Sequence, residues 1–255
     1  MNAAVESVIL CEGFHDRAFW KGWLEHLGFR DARPRRSNGF GDAVDPFGKK
    51  VVSGQFAFFS PAGTFLRLRP CNGVEGVLEQ TAIRLEQRKT QALRRLVVNC
   101  DTDDDDSGAA PRAESALQSI KDRVVKADSN AAALPEGDLS VDGGTTIIST
   151  VLWSADDAPA PHLPAQQTLE RLVCAALGAA YPARAAAVAQ WLSSRPAAGP
   201  PGPKEHAWSH MAGWYGASGC DDFYQAVWRD AAVIAELESR LEKSGAARVA
   251  AALAG

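Results

Sequence analysis

Short continuous apolar runs alternate with segments of helical periodicity along roughly the first 180 residues. Residues 8–11 and 96–100 are apolar runs of the kind found in strands that are covered on both faces in a parallel sheet. The first is followed by apolar residues at helical spacing, with Asp16 placed to cap the helix and Gly28 placed to end it. The pattern predicts an α/β fold with a mainly parallel sheet flanked by helices.

Further elements follow from the same reasoning. Strands are predicted at residues 55–59, 65–69 and 145–153, and helices at 74–89, 113–127, 168–177, 183–192, 204–228 and 231–253. Residues 30–54 are polar and rich in glycine and arginine, and are predicted to be an irregular insertion. We therefore expect a core at residues 1–180, and a helical C-terminal portion at residues 181–255 that packs on the core.

Composition narrows the class of protein. The 255 residues include 46% hydrophobic residues, and the net charge is −4. That charge excludes a histone-like binder with a strongly basic surface, but it leaves room for a nucleic-acid enzyme whose acidic metal ligands offset basic contacts. The five cysteines contain no C-x-x-C pair and are expected to be buried thiols in a reducing compartment. With no signal-like start and no long apolar segment, the sequence predicts a cytoplasmic protein without a membrane partner.

Acidic residues directly follow both apolar runs. Glu12 ends the first run, and Asp101 and Asp103 follow the second. Because the carboxyl ends of parallel strands meet at one edge of a sheet, these carboxylates are expected to converge. Adjacent carboxylates repel one another unless a cation lies among them, and oxygen ligands favour Mg²⁺ or Mn²⁺. The sequence thus predicts metal-assisted phosphodiester chemistry, with a simple turn and a solvated acidic loop as the alternatives.

These two segments carry a resemblance to a known family. Residues 8–16, a strand followed by Glu-Gly and a helix-opening Asp, resemble the first motif of the TOPRIM domain, and residues 96–103, a strand ending in Asp-x-Asp, resemble its second. The family includes topoisomerases, bacterial primases, maturation nucleases, RecR-type repair proteins and OLD-type (overcoming lysogenization defect) nucleases. The resemblance implies that Glu12 is an acid/base or metal ligand and that Asp101 and Asp103 bind Mg²⁺. Phe14 departs from the pattern, because many members have a small or basic residue there.

Within that family the OLD-like branch is the most similar. Glu170, which opens a helix after Thr168-Leu169, resembles the branch's ligand for a second metal ion, and Lys204 resembles its lysine near the scissile phosphate. Residues 206–228 also resemble stand-alone TOPRIM-like proteins of the DUF3226 type. No G-x-x-x-x-G-K-[ST] motif is present, so the resemblance implies a separate ATPase partner protein. The alternative role for Glu170 is helix capping. The alternative for Lys204 is a solvated surface position without a catalytic role.

Several basic residues are candidates for a nucleic-acid path, with a solvated surface as the alternative for each. They are Arg33, Arg35, Arg36, Lys49, Lys50, Arg67 and Arg69. Taken together, these observations predict a Mg²⁺- or Mn²⁺-dependent nuclease that uses one or two ions on DNA or RNA, with DNA favoured, in a defence or repair system. The alternatives are a non-catalytic nucleic-acid-binding or scaffold module with the same fold, and another phosphotransfer activity such as nucleotidyl transfer.

Overall fold

The computed structural model describes residues 4–104, 112–196 and 199–255, with the side chains of residues 112 and 113 left out. The strands are β1 Glu6–Cys11, β2 Arg30–Asp31, β3 Arg35–Arg36, β4 Gly39–Phe40, β5 Phe56–Phe59, β6 Phe65–Pro70, β7 Leu93–Asp101, β8 Ala132–Ala133, β9 Leu139–Val141 and β10 Thr146–Trp153. The helices are α1 Phe14–His26, α2 Val74–Gln87, α3 Arg112–Ala127, α4 Leu169–Ala180, α5 Pro182–Ser194, α6 Pro203–His210, α7 Cys220–Val227, α8 Ala231–Lys243 and α9 Ala246–Ala254.

Two compact units divide the chain. One comprises Met1–Cys100, Ala116–Val151 and Arg248–Gly255, and the other comprises Asp101–Ser115 and Leu152–Ala247. The first holds nearly all of the sheet, and the second is mainly helical. The predicted division into a core at residues 1–180 and a C-terminal portion at residues 181–255 stays a prediction.

The eight strands of the main sheet run in the order β2-β5-β6-β1-β7-β10-β9-β8, and β3 and β4 form a separate hairpin. In the centre, β1 pairs in parallel with β6 and with β7. At the margins β5 is antiparallel to β6, β2 to β5, β9 to β10 and β8 to β9. The predicted fold class is confirmed: the chain is an α/β protein with a mainly parallel central sheet, flanking helices and a helical C-terminal portion.

The first apolar run forms the middle of the sheet because it is covered on both faces. Val8, Ile9, Leu10 and Cys11 of β1 have no exposed surface. Helix α1 packs against β1 and β6, and α2 packs against β1. One polar side chain inside this core, that of Asn99, has a hydrogen-bond partner for its oxygen and another for its nitrogen. The amide oxygen of Asn99 accepts from Trp20 Nε1 at 2.8 Å, and its nitrogen donates to the carbonyl of Val151 at 3.2 Å.

A buried charge cluster lies near the amino ends of the central strands. Glu6 has no exposed surface, and its two carboxylate oxygens accept from Arg67 at 3.0 Å and from Arg84 at 2.5 Å. The guanidinium of Arg67 also contacts Asp45 at 2.6 Å. Ion pairs in such a dry setting tolerate the loss of one partner badly, because the remaining charge is then buried alone.

In the second unit, α4 packs against α5, α6 and α8. The helices predicted at residues 204–228 and 231–253 are each divided. A π-helical turn, Met211–Tyr215, follows α6 and ends at Gly216, whose φ is 58°. Gly245, with a φ of 75°, separates α8 from α9. Left-handed backbone of this kind ends helices and favours glycine. No helix in the described ranges is long and apolar enough to cross a membrane.

Candidate active site at the carboxyl edge of the central strands

Glu12 and Asp101 lie at the carboxyl ends of two neighbouring parallel strands. Glu12 directly follows β1, and Asp101 is the last residue of β7. The register pairs Cys11 of β1 with Asn99 of β7, so the two strands end within about two residues of each other. Both acidic residues are half-buried. The strand topology therefore brings these two predicted residues to the same edge of the sheet, where ligands of open α/β sheets bind.

The turn that carries Glu12 is fixed by backbone contacts. The carbonyl of Glu12 accepts from the Gly73 N–H at 2.8 Å, and the Gly13 N–H donates to the Asp16 carboxylate at 3.0 Å. Asp16 thus caps α1, as predicted, from the third residue of the helix. The turn before α2 packs closely on the first turn of that helix: a Cβ atom on Gly76 would lie 1.7 Å from the carbonyl oxygen of Cys71. The backbone of Glu12 and of the residue after it is therefore held by hydrogen bonds to neighbouring segments.

The carboxylate of Asp101 contacts the first turn of α4. Its Oδ1 accepts from the backbone N–H of Leu169 at 2.8 Å. The first four N–H groups of a helix have no partner within the helix, and the helix dipole favours negative charge at this end. Thr168 caps the same helix by accepting from the Arg171 N–H at 3.3 Å. Asp101 is therefore oriented by the N-terminus of α4.

The residues after Asp101 run alongside the segment that precedes α4. The Asp103 N–H donates to the carbonyl of Gln167 at 3.1 Å, and the Gln167 N–H donates to the carbonyl of Asp104 at 2.7 Å. Asp103 itself is exposed and has a φ of 53°, a left-handed conformation that aspartate tolerates better than most residues. Asp105 and Asp106, the last two residues of the predicted acidic loop, lie outside the described residues.

Glu170 is the second residue of α4 and follows the residue whose N–H binds Asp101. Only 4% of its surface is exposed. One turn further along the helix, burial raises the pKa of the Cys174 thiol, and the negative charge of Glu170 acts in the same direction. The structure thus places Asp101 and Glu170 at the start of the same helix.

The donor set can be tested against a divalent metal. In residues 4–104, 112–196 and 199–255, no three His, Cys, Asp or Glu side chains form a group able to hold a metal ion. A cage built wholly from described side chains does not fit, so the structure does not gather Glu12, Asp101 and Asp103 into such a group. Mg²⁺, however, is usually bound through one or two carboxylates, with water and substrate phosphate completing its coordination. Asp101, whose carboxylate is bound at the start of α4, provides the minimum of one such carboxylate.

Three cysteines lie at the ends of adjacent strands of the same sheet. Cys11 ends β1, Cys71 follows β6, and Cys100 is the penultimate residue of β7. All five cysteines are free thiols. Burial raises the pKa of Cys11 well above its usual value and that of Cys71 to about 11. Cys11 and Cys100 are buried, as the sequence predicted, whereas Cys71 is only half-buried.

The predicted basic residues occupy different settings. Arg67 belongs to the buried cluster around Glu6, so we leave it out of any nucleic-acid surface. Arg69 is half-buried in β6, in register with Leu10 of β1. Arg33 binds Asp31, and Lys50 binds Asp42 at 2.8 Å. Arg35, Arg36 and Lys49 are exposed. Lys204 is exposed in the first turn of α6, a helix that packs against α4.

The model of one protein family matches residues 6–153 of this 255-residue chain, which is more than half of it. The chain belongs to the DUF3226 family. The family's description is that of proteins of unknown function. The match spans β1 to β10, so Glu12, Asp101 and Asp103 lie inside the DUF3226 region, whereas Glu170 and Lys204 lie beyond it.

The fold is also similar to a solved structure. This DUF3226 chain resembles the crystal structure of hypothetical protein PH0156 from Pyrococcus horikoshii OT3, with a TM-score of 0.61 and 16% sequence identity. The similarity covers 99% of this chain and 100% of that one. At such low identity it establishes a shared fold and nothing about activity. No curated protein matches the chain.

Sequence reasoning missed two features of this DUF3226 site. Gln167 aligns the acidic segment through two backbone contacts and also accepts from the Ala155 N–H, at 2.8 Å, through its side chain. Phe14, which was noted only as a departure from a motif, is 52% exposed, and the guanidinium of Arg17 lies 4.9 Å from the centre of its ring. The phenylalanine two residues after Glu12 can be seen in the sequence and could have been singled out. The partners of Gln167, in contrast, depend on pairing between distant segments.

Proposed function

We propose that this DUF3226 protein is a Mg²⁺- or Mn²⁺-dependent nuclease with a TOPRIM-like site of the OLD type. The observation that carries the proposal is the placement of Glu12 and Asp101 at the carboxyl ends of the adjacent strands β1 and β7, with the Asp101 carboxylate bound by the first N–H of α4. Two carboxylates presented from strand ends are sufficient for Mg²⁺ chemistry on a phosphate ester.

Each residue of the proposed site has a task that its setting supports. Asp101 would hold a divalent ion, because the start of α4 orients its carboxylate. Glu12 would either share that ion or move a proton at its carboxylate oxygens, and its fixed backbone turn would keep it in place. Asp103 and Glu170 would add ligands, and Lys204 would stabilise charge on the phosphate. A bound divalent ion supplies Lewis-acid polarisation of the phosphate and lowers the pKa of water.

A second candidate is a non-catalytic module that binds nucleic acid or acts as a scaffold. It is favoured by the finding that, in the part of the chain that the structure describes, no three potential ligands form a metal-binding group. In the nuclease proposal, a separate ATPase protein would be the partner and the cytoplasm the site of action. The ATPase partner comes from the OLD-like resemblance, which is an analogy of fold and motif, and the cytoplasmic location comes from the sequence pattern.

Titration of activity with Mn²⁺ tests the proposal and the number of ions. We expect the wild-type protein to cleave a labelled single-stranded oligonucleotide with Mn²⁺ and to lose this activity in EDTA. Glu170→Gln keeps the size of the buried side chain but removes its charge, so it should lower the rate by about 10- to 100-fold and shift half-maximal activity to higher Mn²⁺. Glu114→Gln, at an exposed residue of α3, is the matched control.

Two outcomes would count against this account. If the wild-type protein shows no metal-dependent cleavage of DNA or RNA, the non-catalytic module becomes the better description. If Glu170→Gln cleaves with the same Mn²⁺ curve as the wild type, the site uses one ion. In that case Glu170 serves only the dipole of α4, where its charge contributes about 0.3–1 kcal/mol.

A further inference from the structure

A cavity with a basic and aromatic lining lies in the sheet-containing unit, away from Glu12. Its volume is about 590 Å³. We call it the Arg–Phe groove, and define it by Arg30, Asp31, Arg33, Arg35, Phe40 and Phe59. Within the part of the chain that the structure describes, Arg33 is the one arginine of the three that forms an ion pair, with the carboxylate of Asp31 at 2.5 Å. Arg30 and Arg35 are exposed, which gives the groove an excess of positive charge.

The groove is built from two cross-strand pairs of the same kind. Arg30 of β2 stands opposite Phe59 of β5, and Arg35 of β3 stands opposite Phe40 of β4. Residues directly opposite each other in antiparallel strands point to the same face, about 4.5–5.5 Å apart at Cβ. Each aromatic ring therefore has a cationic side chain beside it. Phe40 is 53% exposed and Phe59 is 37% exposed, although phenylalanine usually buries its ring.

Arg33 serves the groove in a different way. Its guanidinium lies 4.6 Å from the centre of the Phe40 ring, and it donates to both carboxylate oxygens of Asp31. Burial acts to raise the pKa of Asp31, but the hydrogen bonds from Arg33 outweigh it and hold that pKa below its usual value. The Arg33–Asp31 pair is thus neutral as a whole and supports the ring, while Arg30 and Arg35 keep their charge for a partner.

We propose that the Arg–Phe groove binds single-stranded nucleic acid, with Arg30 and Arg35 on backbone phosphates and Phe40 and Phe59 stacked on bases. A positive groove with exposed aromatic rings is the combination that single-strand-binding proteins use, and stacking requires bases that are not already paired. This inference rests on the proposed nuclease function and adds to it that the substrate is single-stranded. Binding itself requires no cleavage.

Strand geometry sets the distance between this groove and the proposed site. Phe59 pairs with Phe65, the first residue of β6, whereas Cys11 pairs with Pro70, the last residue of β6. The groove therefore lies toward the edge of the sheet at which β6 begins, about 17 Å along the strands from the edge that carries Glu12. At the stacked rise of about 3.4 Å per nucleotide, a strand of roughly five or more nucleotides is needed to reach from one to the other. The groove would hold a distal part of the substrate.

Equilibrium binding without catalysis tests the proposal. The full-length chain, in EDTA, is titrated into fluorescently labelled oligo(dT) at several salt concentrations, and the fluorescence anisotropy is measured. Arg30→Gln/Arg35→Gln should reduce the slope of log K against log salt by about 1.4, because each lost phosphate contact on a single strand contributes about 0.7. Phe40→Leu/Phe59→Leu should leave that slope unchanged and weaken binding by about 5- to 150-fold for each base that loses its stacking partner.

The matched control is Lys121→Gln/Lys126→Gln, which removes the same charge from exposed positions of α3 in the same unit. It should leave both the slope and the affinity unchanged, and circular dichroism of every variant confirms that it is folded. Wild-type affinity in the phenylalanine variant, or an equal loss of slope in the control, would overturn the proposal. So would a duplex of the same length that binds as tightly as the single strand.

The outcome is separable from that of the nuclease proposal. Binding with the expected variant effects but no cleavage in Mn²⁺ would sink the nuclease proposal and leave the groove standing. Cleavage of oligo(dT) by the phenylalanine variant with an unchanged KM would remove the groove from the account and leave the metal-dependent activity standing.

Discussion

Asp101→Asn is expected to lower Mn²⁺-dependent cleavage by more than about 100-fold, the upper end of what is lost when a residue that merely supports a metal ligand is changed. The same change should alter the free energy of unfolding by no more than about 1 kcal/mol. Asparagine retains the oxygen that accepts from the Leu169 N–H, and the interaction between charge and helix dipole that it gives up contributes about 0.3–1 kcal/mol. Initial rates and urea denaturation measure the two quantities.

Asp101→Ala provides the comparison, because it removes the acceptor as well as the charge. It should be as inactive as Asp101→Asn but less stable by a further 0.5–2 kcal/mol or so, which is the usual cost of losing a cap at a helix start. A loss of about 3 kcal/mol or more in the asparagine variant would show that the Asp101 charge belongs to a structural network. That result would remove the residue from the proposed site.

Glu6→Gln is expected to lower the free energy of unfolding by about 3–5 kcal/mol, because it leaves the guanidinium of Arg84 buried without its carboxylate. Arg67 keeps Asp45 and suffers less. Urea denaturation of the metal-free protein measures the loss. Glu86→Gln, at an exposed position of α2, should change the free energy by less than about 0.5 kcal/mol.

A double variant separates charge imbalance from a general packing defect. Adding Arg84→Met to Glu6→Gln removes the uncompensated charge, so part of the lost stability should return. Equal or greater instability in the double variant would mean that the side chain of Arg84 is needed for its packing rather than for its pairing with Glu6.

The central fold was predictable because its signals are local. The continuous apolar runs at residues 8–11 and 96–100 lie in β1 and β7, since only a strand covered on both faces accommodates such a run. The start of α4 was equally clear from Thr168, whose hydroxyl binds the backbone three residues on. The short strands β8 and β9 were missed, because two or three residues carry too little periodicity to identify a strand.

The site was only partly predictable, because several of its contacts join residues that are far apart in the sequence. The common edge of Glu12 and Asp101 follows from strand order, but the contact between Asp101 and Leu169 joins positions 68 residues apart. Arg67 was placed on a nucleic-acid path, whereas its partner Glu6 lies 61 residues away in a neighbouring strand. In the Arg–Phe groove, the Arg35–Phe40 pair lies within residues 30–54, which were treated as an irregular insertion, and the Arg30–Phe59 pair joins that segment to a predicted strand. Long-range pairing of this kind leaves no periodic trace in the sequence.

We propose that Glu12 and Asp101 hold a divalent ion at the carboxyl edge of β1 and β7. Anomalous scattering from a crystal soaked in Mn²⁺ tests it most directly, because the manganese signal identifies the ion and its ligands together. The account predicts a manganese peak bonded to a carboxylate oxygen of Asp101, with Glu12 either bonded to the same ion or linked to it through water, and no such peak in a soaked crystal of Asp101→Asn. A well-soaked wild-type crystal with manganese bound elsewhere and none at this edge would contradict it.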